Sequence, residues 1–189
     1  MHEHPGQPGL QTHDPPMPPA SPVQQGIRWW DRQGLRGGLL GGIGFAVVEL
    51  LVMDVQEGQT AVARLLRRIA AMWIGPEALD PDFSFAAVAV IGTVMHLGLS
   101  ALFGLFFTWL TESRAVKSLF VQSRASLLAA ATAYGLLLWP LNVYLIAPFV
   151  GWEWFARETE PVVQFLAHLC YGVLLGLYLN HRLAPRRRA

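Results

Sequence analysis

Apolar residues fall in four long, continuous runs along this chain, at about 37–55, 85–110, 127–147 and 162–180. Each is close to the ~20 residues that a helix needs to cross ~30 Å of hydrocarbon. Within lipid, only helices and closed barrels satisfy their own backbone polar groups. The runs lack the alternation of a half-buried strand, so the pattern predicts helices. The fold class read from it is an all-α membrane protein, a bundle of four transmembrane helices.

Between the first two runs, Val62, Leu65, Leu66, Ile69 and Trp73 recur at helical spacing. Arg64, Arg67 and Arg68 fall largely on the other side. An amphipathic helix over about 60–74, lying in the membrane interface, is predicted, with the three arginines reaching lipid phosphates. Gly75, Pro76 and Pro81 then turn the chain back to the membrane. A second loop, 149–160, mixes Trp152, Trp154 and Phe155 with Glu153, Glu158 and Glu160. It reads as an interfacial cap, with a docking or substrate-entry surface as the alternative.

Residues 1–25 hold seven of the 13 prolines and almost no large apolar side chain. Such a stretch does not bury enough surface to offset its ordering entropy, and it is expected to be a disordered tail. It lacks the basic start and apolar run of a secretory signal. Its His2, His4 and His13 read as solvated, with loose metal binding the alternative. The transmembrane domain is expected over 26–182, and 183–189 form a short basic tail.

Composition narrows the class. Of 189 residues, 53% are hydrophobic and only 14% charged, against ~25% charge in ordinary soluble domains. The single cysteine, Cys170, excludes an internal disulfide scaffold. A net charge of +1 without a basic face excludes nucleic-acid binding. Arg28, Arg32, Arg36, Arg114, Lys117, Arg124 and four arginines from Arg182 onward lie on one side of the predicted membrane. Arg64, Arg67, Arg68 and Arg157 lie on the other. That asymmetry predicts both termini and the middle loop on the cytoplasmic side of the membrane.

Small residues predict how the helices meet. His96, Ser100 and Gly104 in the second run match His168, Gly172 and Gly176 in the fourth. The matched spacing suggests two repeated helix hairpins. Spacings of four keep these residues on one face and let helices approach closely in lipid. The first run carries the same device twice, as Gly37/Gly41 and Gly38/Gly42.

Ionisable groups inside a membrane are expensive and by default functional. Glu49, His96, His168 and the uncharged Asn142 form the predicted intramembrane polar cluster. Pro140 should kink the third helix next to Asn142. Three readings are open. The cluster hydrogen-bonds internally and fixes helix register. Or His96 and His168 ligate a b-type haem. Or Glu49, His96 and His168 form a proton, cation or divalent metal site. Cys170 lies about 200° round the helix from His168 and is not expected to join the site. Ser100 has His96 four residues before it, yet reads as a packing residue. No nucleotide-binding glycine loop, nucleophile elbow or zinc-protease motif is present.

From Gly41 to Leu179, about three quarters of the chain resembles a group of small bacterial inner-membrane proteins with four helices and no established function. The residues that carry the likeness are Leu65 to Pro81, His96 to Gly104, Asn142 to Tyr144 and Trp154 to Gly172. Some members carry a sodium:proline symporter label, although symporters of that class have many more helices than four. The resemblance implies the topology and draws attention to Glu49, His96 and His168; it implies no activity. The function expected from sequence is a non-catalytic accessory or assembly subunit of a membrane complex. Its partners would be the bilayer and other membrane proteins or further copies of itself. It needs no cofactor on that reading. The alternatives are a small carrier or proton- or metal-handling protein, and a bis-histidine haem protein.

Overall fold

Nothing between Trp29 and Arg36 breaks a helix, and the first helix starts there, ahead of the apolar run. In the computed structural model, residues 29–57, 61–113, 116, 118 and 122–183 are described. Helix α1 spans Trp29–Glu57, α2 Ala61–Ile74 and α3 Phe85–Glu112. Helix α4 spans Arg124–Pro140, and α5 spans Pro161–Leu183. A 3-10 turn, Pro76–Leu79, follows α2. No strand occurs among the described residues. Expectations for residues 1–25, for Arg28, Arg114 and Lys117, and for the tail beyond Leu183 lie outside the described residues.

Among the described residues, four helices are long and apolar enough to cross a membrane. Their outward faces carry Ile43, Val47, Leu51, Val90, Val94, Leu102 and Leu137, all exposed. Lipid suits that surface better than water does.

Helix α1 packs on both α3 and α5, and α4 packs on α5. Two glycine stripes allow α1 to serve two neighbours. A Cβ on Gly38 would lie 3.0 Å from Gly104 Cα, and one on Gly41 would lie 2.8 Å from the Tyr171 ring. The α4–α5 contact uses the same device: a Cβ on Gly172 would lie 2.9 Å from Thr132 Cα. The small positions expected from sequence are therefore packing positions, joined by Gly34 and Gly135. In lipid, such close approach supplies the dispersion contacts that hold helices together.

Helices α3 and α4 meet toward the end of the bundle where α1 begins and α5 ends. Tyr134 Oη donates to Phe103 O at 2.9 Å, and the Tyr134 and Phe107 rings lie 5.1 Å apart. Phe107, Leu127, Ala131, Tyr171, Leu175 and Leu179 belong to the buried core there.

Two local features shape the opposite end. Pro140 has no N–H to donate, and the helix continues as a π-turn, Leu141–Ile146, before a last turn over Ala147–Phe149. Ala147 N–H reaches back five residues to Asn142 O. The expected kink is thus a widened turn, of the kind often found at functional sites. Helix α2 crosses α3 at Gly92, where a Cβ would lie 2.7 Å from Leu66 O. Its Leu65 and Ile69 are buried against protein, not laid on lipid, while Val62 and Trp73 are exposed.

Candidate functional site

The four membrane-spanning helices, α2 and the loop after α4 line a half-open cavity of about 290 Å³. All four members of the predicted polar cluster line it: Glu49 from α1, His96 from α3, Asn142 from the π-turn and His168 from α5. Gln164 and Arg68 line it too. Phe45, Phe103, Tyr171, Trp152 and Phe155 supply aromatic walls. Gln164 and Tyr171 stand seven positions apart on α5, so the chamber runs for roughly 10 Å along the bundle.

Each polar group has a defined partner or a defined lack of one. Gln164 Nε2 donates to Glu49 Oε1, tying α5 to α1. His168 Nδ1 lies 2.8 Å from Gln164 O, and His96 Nε2 lies 2.7 Å from Gly42 O. A carbonyl oxygen only accepts, so the ring nitrogen facing it carries the proton. In the neutral rings this leaves His168 Nε2 and His96 Nδ1 as acceptors. Phe45 packs against both rings, with centroids 4.8 Å from His168 and 5.6 Å from His96.

Tyr171 Oη donates to Ser100 O at 2.8 Å. Together with Phe103 and Leu138 it borders the chamber on the side of the terminal-end core. Ser100 Oγ donates to the backbone oxygen of His96 at 2.7 Å, not to its ring, in keeping with a packing role. Cys170 lies toward α1, where a Cβ on Gly44 would come within 3.2 Å of its Sγ, and it does not line the chamber.

The three arginines of α2 differ in placement. Arg67, expected at lipid phosphate, donates to four backbone oxygens: Ala78 at 3.2 Å, Asp80 at 2.6 Å, Pro81 at 3.0 Å and Phe83 at 3.1 Å. Its planar fork fits several carbonyls at once, and it fastens the turn between α2 and α3. Arg68, expected in the same role, lines the chamber; its Nε is buried and has no hydrogen-bond partner among the described residues. Arg64 is on the exposed side.

Sequence reasoning did not single out Gln164, Arg68 or Tyr171 as parts of this site. Gln164 stands one helical turn before His168, and that spacing was the available signal. For Arg68 there was none, because its direction depends on how α2 crosses α3. Glu49, His96 and His168 share the chamber, yet no group of three His, Cys, Asp or Glu side chains forms a metal set among the described residues. Chemically, the arrangement offers an apolar space of small-molecule size with a few converging polar groups, the usual form of a ligand site.

No family model, no curated protein and no solved structure matches the chain.

Proposed function

We propose that this is a multi-pass protein of the bacterial inner membrane that binds a small, apolar-bodied ligand in the chamber. It acts as a carrier or proton-handling protein through Glu49, His96 and His168. One observation carries the reading: four polar residues drawn from four separate segments face a single cavity. Helix register alone would be served by pairwise contacts without a shared space. The charge asymmetry of the loops supports cytoplasmic termini, with α2 and the chamber toward the outer side. The resemblance to small four-helix inner-membrane proteins agrees with this topology. An accessory or assembly role rests on small size and missing catalytic motifs, and takes second place.

Thermal unfolding of the purified protein against a panel of small amphiphiles tests the reading. A ligand at 100 times its Kd adds about 2.7 kcal/mol of stability. Some compounds should raise Tm, and Ile146→Trp, whose larger side chain intrudes on the chamber, should remove the shift. Compounds that stabilise both proteins equally, or none that stabilise the wild type, would contradict it.

A further inference from the structure

The hydrogen-bond inventory of the chamber narrows the ligand class. Tyr171 Oη is committed to Ser100 O, and the protons facing carbonyls on the two histidine rings are committed to Gly42 O and Gln164 O. Gln164 Nε2 is committed to Glu49. Three side-chain donors of the lining have no such commitment among the described residues: the Arg68 guanidinium, the Asn142 amide and the Trp152 indole N–H.

Unused donors call for an acceptor, and a fixed guanidinium charge favours an anionic one. Glu49, the carboxyl in the same space, accepts from Gln164 through Oε1 and feels the Arg68 charge, yet no hydrogen bond joins Glu49 to Arg68 among the described residues. The remaining lining is largely apolar and rich in aromatic rings, which favour a ring-bearing body through edge and face contacts. Size sets the scale. A cavity of about 290 Å³ lies at the small end of ligand pockets, which run from about 300 to 1,000 Å³.

We propose that the chamber takes a small aromatic monocarboxylate, with its carboxylate on Arg68 and Asn142 and its ring among Phe45, Phe103 and Trp152. The proposal deepens the ligand-binding reading and depends on it.

The test uses the full chain in lipid nanodiscs, titrated calorimetrically against empty discs. Phenylacetate is the probe, phenylacetamide its neutral counterpart of equal size, and phenethylamine the cationic one. Phenylacetate should bind about tenfold or more tighter than phenylacetamide, since a hydrogen bond to a charged group is worth more than a neutral one. Arg68→Gln should remove that preference while still binding phenylacetamide, which also shows that the variant is folded. Arg64→Gln should leave the preference intact. Ile146→Trp should block all three probes.

If phenylacetamide or phenethylamine binds as tightly as phenylacetate and Ile146→Trp blocks it, the chamber is a ligand site and the carboxylate assignment is wrong. A preference that survives Arg68→Gln overturns the assignment as well. If no probe binds, or binding survives Ile146→Trp, both the assignment and the ligand-binding reading fail.

Discussion

Gln164 and Glu49, 115 positions apart in sequence, are joined by a buried hydrogen bond from the amide Nε2 to the carboxyl Oε1. The bond links α5 to α1 along the chamber wall. Glu49 is 6% exposed and Gln164 4%. Both are largely withdrawn from solvent, so loss of one partner leaves the other poorly compensated.

Removing Gln164 alone should therefore cost more than removing the pair. Gln164→Leu strands the carboxyl and should lower unfolding stability by about 1–3 kcal/mol. The double variant Gln164→Leu with Glu49→Leu should recover part of that loss. Denaturant or thermal unfolding in one detergent measures the cycle. Strictly additive losses would show that the two side chains do not depend on each other.

Glycine positions on α3 divide sharply. A Cβ on Gly104 would lie 2.6 Å from Gly38 Cα, whereas one on Gly98 meets nothing within 4 Å. Backbone in the way does not swing aside as a side chain does. Gly104→Val should cost about 3 kcal/mol or more. Gly98→Ala should be neutral or gain up to about 1 kcal/mol through helix propensity. Similar thermal stabilities for the two variants would refute the α1–α3 packing.

Arg67 makes a third prediction. It donates to four carbonyls spread from Ala78 to Phe83, so Arg67→Ala should loosen that turn and cost about 2 kcal/mol. Lysine lacks the planar fork, and Arg67→Lys should restore less than half of the loss. Faster proteolysis within 75–84 in the alanine variant, with α1 and α5 still protected, would be the expected pattern. Unchanged cleavage would show that the four bonds do not hold the turn.

The haem alternative meets a specific obstacle in this geometry. His96 Nε2 and His168 Nδ1 are held by carbonyls, and Phe45 packs on both rings. A porphyrin held by both histidines would have to displace Phe45. Protein purified from cells grown with haem should show no Soret band. A Soret band lost on His96→Ala or His168→Ala would overturn this.

The four spans were legible because their signal is local: length, continuity and apolar content. The packing stripes were legible for the same reason, since spacings of four put Gly38 and Gly42, or Gly172 and Gly176, on one face without knowledge of the neighbour. The polar cluster was legible because Glu49, His96, Asn142 and His168 stand out against apolar surroundings. What sequence concealed was direction. Arg67 and Arg68 are adjacent on α2, yet one grips a turn and the other lines the chamber. That difference follows from the crossing at Gly92, a tertiary fact. The start of α1 at Trp29 was hidden too, because the polar residues Asp31, Arg32 and Gln33 mask a helix that simply continues. Trp152 and Phe155 read as an interfacial cap, and only the three-dimensional fold turns them into chamber wall.

Chemical access to the chamber tests the account most directly. In a Cys170→Ala background, Asn142→Cys should react with a small methanethiosulfonate reagent, and saturating phenylacetate should slow that reaction. Asp82→Cys, exposed in the loop before α3, should react at a rate that phenylacetate leaves unchanged. Failure of Asn142→Cys to react, or equal slowing at both positions, would contradict an accessible ligand chamber formed around Glu49, His96, Asn142 and His168.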